Sequence, residues 1–120
     1  MKTLIAIAAL TLSAVAQADV IDIIEKQQKI TESGKKCLWY YENVTTELWH
    51  VAPCNHAARS LQVYRDQIKA FANEYNKNGI GGNYSKQNEK IIKAAYLDSY
   101  KQMMKTIGTL EALTQHGWVL

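Results

Sequence analysis

Residues 37–54 read Cys37-Leu-Trp-Tyr-Tyr-Glu-Asn-Val-Thr-Thr-Glu-Leu-Trp-His-Val-Ala-Pro-Cys54, and their reading decides whether the fold is all-α or mixed. Leu38, Tyr41, Thr45, Leu48 and Trp49 fit one face of a helix. The same Val, Thr and aromatic content also suits a β-hairpin turning at Glu42-Asn43. Periodicity within 37–52, and the helical character of the segments on either side, favour the helix.

Those flanks carry clearer patterns. Before the segment, Val20, Ile23, Ile24 and Ile30 alternate with Glu25, Lys26 and Lys29, which predicts a short amphipathic helix over 20–32 ended by Ser33-Gly34. Asp19 and Asp22 stand at its start, where acidic groups suit the helix dipole. After the segment, Leu61, Tyr64, Ile68, Phe71 and Tyr75 recur at spacings of 3 and 4 and predict a helix over 56–78. Asn55 is its expected N-cap and Gly79 its stop. A third helix is expected over 86–116, on Ile92, Tyr96, Tyr100, Met103, Ile107, Leu110 and Leu113. Ser85 would cap its start and Gly117 its end, while Gly108 would allow a bend or a close helix approach. The expected fold is all-α: a small irregular bundle of three to four helices stapled by one disulfide.

At the N-terminus, Met1-Lys2-Thr3 carries one positive charge, and Leu4 to Val15 is an apolar run. Ala16-Gln17-Ala18 then supplies small residues where a signal peptidase needs them. Residues 1–18 therefore read as a secretory signal peptide, and 19–120 as a single helical domain. The apolar run is shorter than the roughly 20 residues a membrane-spanning helix needs, so no stable anchor is expected after cleavage. The compact signal points to a Gram-negative periplasm. With 14 Lys+Arg against 11 Asp+Glu, the formal charge of +3 is too small and dispersed for a nucleic-acid footprint.

Cys37 and Cys54 are the only cysteines, and in an oxidising compartment an even count favours a disulfide. The competing reading is a metal site, since His50, Cys54 and His56 bring three potential ligands together. Their spacing matches no standard zinc pattern, and a disulfide would consume Cys54. Redox catalysis is disfavoured because the pair is not spaced Cys-x-x-Cys. The Gly79-Ile80-Gly81-Gly82 cluster matches neither dinucleotide-binding nor P-loop patterns and reads as a turn between helices. Carboxylates for hydrolysis would come from Glu42, Glu47, Asp66, Glu74, Asp98 or Glu111, most of them on expected solvated helix faces. No serine sits in a nucleophile elbow. No catalytic residue and no cofactor is therefore assigned.

The aromatic residues carry the functional expectation. The chain has seven Tyr and three Trp against one Phe, and Trp39, Tyr40, Tyr41 and Trp49 all lie between the cysteines. Three consecutive aromatics on a helix span about 200°, so they cannot all face one core. Tyr and Trp join an apolar body to a polar tip, which suits protein interfaces. The expected function is a periplasmic protein-binding module of the inhibitor, immunity or exclusion type. Its partner would be another protein, met through Trp39, Tyr40, Tyr41 and Trp49. The alternatives are a small-ligand or metal carrier using His50 and His56, and a small hydrolase. The apolar Gly117-Trp118-Val119-Leu120 stretch is expected to dock into the bundle.

Overall fold

A computed structural model describes residues 19–120. The expected signal peptide, 1–18, lies outside the described residues. Three helices make up the architecture: α1 (Val20–Asn43), α2 (Ala52–Asn78) and α3 (Lys86–Thr114), with a single 3₁₀ turn at Leu48–His50. Together they account for 81% of the described residues, among which there is no strand. The all-α bundle with one Cys37–Cys54 disulfide is therefore the fold.

Helix α1 does not end at Ser33-Gly34. It runs on for another turn and a half beyond Cys37, and Gly34 is buried inside it. A Cβ built on Gly34 would come within 2.6 Å of Thr106 Cγ2 and 3.4 Å of Leu110 Cδ1. The glycine is there to let α1 and α3 approach, not to stop the helix. Gly108, expected to serve that purpose, faces open space.

The 37–52 segment forms no hairpin, but its helix is broken. It is helical to Asn43, whose side-chain amide donates back to the Trp39 carbonyl at 2.8 Å. Val44, Thr45 and Thr46 follow, β-branched residues that resist helix continuation. Thr45 Oγ1 then accepts from the Glu47 N–H, leading into the 3₁₀ turn. The disulfide itself demands this reversal. It joins α1 to the first turn of α2 with a Cα–Cα distance of 4.6 Å, which one continuous helix across 17 positions cannot provide.

The boundaries of the other helices shift as well. Helix α2 begins at Ala52, with Pro53 in the first turn where its missing N–H costs nothing. Asn55 is not its N-cap; the side chain instead donates to the Trp49 carbonyl at 3.0 Å. Gly79 does end α2, at φ 75°. Ser85 does cap α3, its hydroxyl accepting from the Asn88 N–H at 3.2 Å. Replacing Ser85 by Ala should cost about 1 kcal/mol. An unchanged urea midpoint for Ser85→Ala would mean the cap contributes nothing. Helix α3 closes on Gln115 in the left-handed region, φ 56°, two residues before the expected Gly117.

Helix α1 lies between the other two, packed along both α2 and α3, and among the described residues α3 makes no close backbone approach to α2. The core is in two parts. One surrounds the disulfide and includes Ile30, Leu61, Met103, Leu110 and Trp118; the other gathers Val20, Ile23, Phe71, Ile80 and Tyr96 at the opposite end of α1. Between them in sequence, buried Gln27 accepts a hydrogen bond from buried Ser99 across the α1–α3 seam. Rings of Phe71, Tyr75 and Tyr100 surround Tyr96 at centroid distances of 4.9–6.2 Å. Burial, with Tyr100 and Tyr75 adding to it, pushes the Tyr96 hydroxyl up to about 12.

Candidate functional site

The disulfide end carries the aromatic residues singled out by the sequence, Trp39, Tyr40, Tyr41 and Trp49. Both sulfurs are fully buried in the core there, so this bond is a staple rather than an accessible thiol pair. Around it the four aromatic residues take three different situations. Trp39 is 55% exposed and packs edge-on against half-buried Tyr40, with ring centroids 5.2 Å apart. Tyr41 turns inward instead. It packs on the core and its hydroxyl donates to the Leu113 carbonyl at 3.1 Å, tying α1 to the end of α3. Trp49, 46% exposed, stacks on Trp118 at 5.9 Å and tilts against His116 at 5.5 Å.

The site therefore has an exposed Trp39–Tyr40 pair, a Trp49–His116–Trp118 group, and Tyr41 as a brace. Helical geometry explains the division. Trp39 sits two residues from Cys37 and hence about 200° around α1, while Tyr41 is one turn on and shares its face. Trp118 and His116 were not among the expected site residues. The one legible signal was the apolar Trp118-Val119-Leu120 run, whose docking the structure does show. Trp118 is buried, Leu120 packs beside it, and Arg65 donates to the Val119 carbonyl at 2.8 Å. The Glu111 carboxylate accepts from the Gly117 and Trp118 N–H groups at 2.7 and 2.8 Å, so it fixes the chain after α3.

The competing sites are less developed. His50 and His56 are both exposed, and the disulfide removes Cys54 from any ligand set. No group of three His, Cys, Asp or Glu side chains is placed to hold a metal ion among the described residues. His56 borders a shallow hollow of about 260 Å³ with Ala52, Asn55 and Arg59. Of the carboxylates considered for hydrolysis, Asp98 lines a groove of about 700 Å³ along the α1–α3 seam, beside Glu25, Lys29, Glu32 and Lys35. Glu42 and Glu47 border a separate hollow against the 43–46 stretch. Glu74 bonds Asn78 on its own helix.

The fold and this end of it define a disulfide-stapled three-helix protein with two exposed tryptophans and a buried staple. No family model, curated protein or solved structure matches the chain. The disulfide is consistent with an exported protein, and among the described residues no helix is long and apolar enough to cross a membrane.

Proposed function

We propose that the chain is an exported, periplasmic protein-binding module of the inhibitor, immunity or exclusion type. Its contact surface is the disulfide end, on Trp39, Tyr40, Tyr41 and Trp49. The supporting observation is the exposure of Trp39 and Trp49, 55% and 46%, on a stretch of chain closed by a fully buried disulfide. Exposed tryptophans on a rigid support are what a binding hot spot requires, because little conformational freedom remains to be lost on association. Trp39 and Tyr40 make one contact, Trp49 on its stack with Trp118 makes a second, and Tyr41 holds the supporting helix to α3. The N-terminal signal pattern, Lys2 through Ala18, supports export and an oxidising compartment.

The reading is tested by capture from periplasmic extract with the oxidised protein, with metal analysis of the same preparation. A stoichiometric protein partner that is lost with Trp39→Ala is the expected result. Trp39 leaves the core untouched when truncated, so folding is preserved in that variant. No partner, together with one equivalent of bound metal, would move the function to His50 and His56.

A further inference from the structure

We propose that α3 carries a second interaction surface, a lysine row that seats the protein on an anionic phospholipid bilayer. This goes beyond the protein-binding reading and uses none of its residues. Lys86, Lys90, Lys93, Leu97, Lys101 and Met104 follow one another at spacings of 4, 3, 4, 4 and 3. That is one continuous line along a helix, about 27 Å long at 1.5 Å per residue. Every member is exposed, including Leu97 at 44% and Met104 at 39%.

The row is separate from the side of α3 that builds the core. Tyr96, Met103, Ile107 and Leu110 are buried and lie about 110° around the helix from it, at 100° per residue. It stays open because among the described residues the α3 backbone closely approaches only α1, and α2 reaches α3 through core side chains such as Phe71 and Tyr75 against Tyr96. No acidic residue falls in the row. Glu89 and Asp98 project to either side of it, and the Glu111 carboxylate is occupied by the Gly117 and Trp118 N–H groups. Lys105 adds a further exposed cation one turn beyond Lys101.

The chemistry selects the occupant. Lysine is a hydrated point charge on a long apolar stem, suited to a diffuse anionic plane. Arginine, which grips single phosphates and carboxylates in a two-pronged fork, is absent from α3; Arg59 and Arg65 are both on α2. The row also holds no aromatic ring on which nucleic-acid bases would stack. Exposed Leu97 and Met104, set among the lysines, reach toward the acyl boundary as the ammonium groups meet lipid phosphates.

The test is co-sedimentation of the purified, disulfide-intact protein with vesicles of equimolar phosphatidylglycerol and phosphatidylcholine, beside vesicles of phosphatidylcholine alone. Sedimentation with the anionic vesicles only, abolished by high salt, is expected. The triple change Lys90→Gln, Lys93→Gln, Lys101→Gln should weaken it at least about tenfold. The charge-matched triple Lys35→Gln, Lys36→Gln, Lys69→Gln should retain most of the binding, and circular dichroism should show both variants folded. Absence of sedimentation with the anionic vesicles would overturn the proposal. So would equal weakening by the two triples, or a preference for duplex DNA or polyglutamate over the vesicles at matched charge.

Discussion

Replacing Cys37 and Cys54 together by alanine is expected to lower the unfolding free energy by about 3 kcal/mol, the chain-entropy value for a loop of this length. The bond closes 17 positions of chain and joins two helices otherwise held by packing and by the Lys26 ammonium, which donates to the Gln67 side-chain carbonyl. A domain of this size has a total stability of roughly 5–15 kcal/mol, so the loss is a large part of it. The melting temperature should fall by about 15 °C. Both sulfurs are fully buried, so mild reductant should act on the native protein only through its unfolding. A change below about 1 kcal/mol would mean that the bond does little to restrict the unfolded chain. The stretch most affected is the one carrying Trp49, so on the proposed protein-binding reading a double-alanine variant that still folds should also bind less tightly.

Gly34 is the second position of large effect. A leucine there would drive side-chain atoms into Thr106 and Leu110, and the expected cost is about 3 kcal/mol despite a gain of about 1 kcal/mol in helix propensity. Alanine is the more informative change. Its Cβ would meet the Thr106 methyl at 2.6 Å. That methyl belongs to a β-branched side chain whose hydroxyl donates to the Gln102 carbonyl at 2.8 Å, so it does not rotate away without losing a hydrogen bond. Thr106→Ser removes the methyl and keeps the hydroxyl. Gly34→Ala with Thr106→Ser should therefore be more stable than the two single changes predict by about 1 kcal/mol. A Gly34→Ala protein more stable than the parent, irrespective of residue 106, would show that the helices do not meet at this glycine.

Gly34 also shows where sequence and structure part. The helices around Leu61–Tyr75 and Ile92–Leu110 were legible because an apolar stripe at spacings of 3 and 4 images one packed face, although Leu113, expected to continue the second stripe, is exposed. Gly79 and Ser85 were legible because a helix stop and a cap need those residue types locally. Ser33-Gly34 has the same local appearance as Gly79, yet it lies mid-helix. What distinguishes it is Thr106, 72 positions away, and no local pattern reports that partner. The break after Asn43 is similar. Periodicity allowed Thr45 and Leu48 to continue the helix, whereas the disulfide forces the chain to double back. The pairing of Cys37 with Cys54 was itself evident from their number and the signal-peptide pattern expected over residues 1–18.

The aromatic site was half legible. Composition singled out Trp39, Tyr40, Tyr41 and Trp49, and the angular argument required at least one to reach solvent, as Trp39 does. Nothing local could place Trp118 beneath Trp49, because that contact joins segments separated by the whole of α2 and α3. The inward turn of Tyr41 onto the Leu113 carbonyl was hidden for the same reason. Truncating Tyr41 therefore tests the fold as much as the surface, whereas truncating Trp39 tests the surface alone.

The most direct measurement is the affinity of the captured partner, purified, for the parent protein and for Trp39→Ala, by titration calorimetry at matched salt. With Trp39 at the centre of the contact, the dissociation constant should rise about thirtyfold, the effect of losing a hot-spot tryptophan worth about 2 kcal/mol. An affinity for Trp39→Ala within about twofold of the parent, well inside the 1.4 kcal/mol that marks a tenfold change, would place the binding surface elsewhere on the molecule.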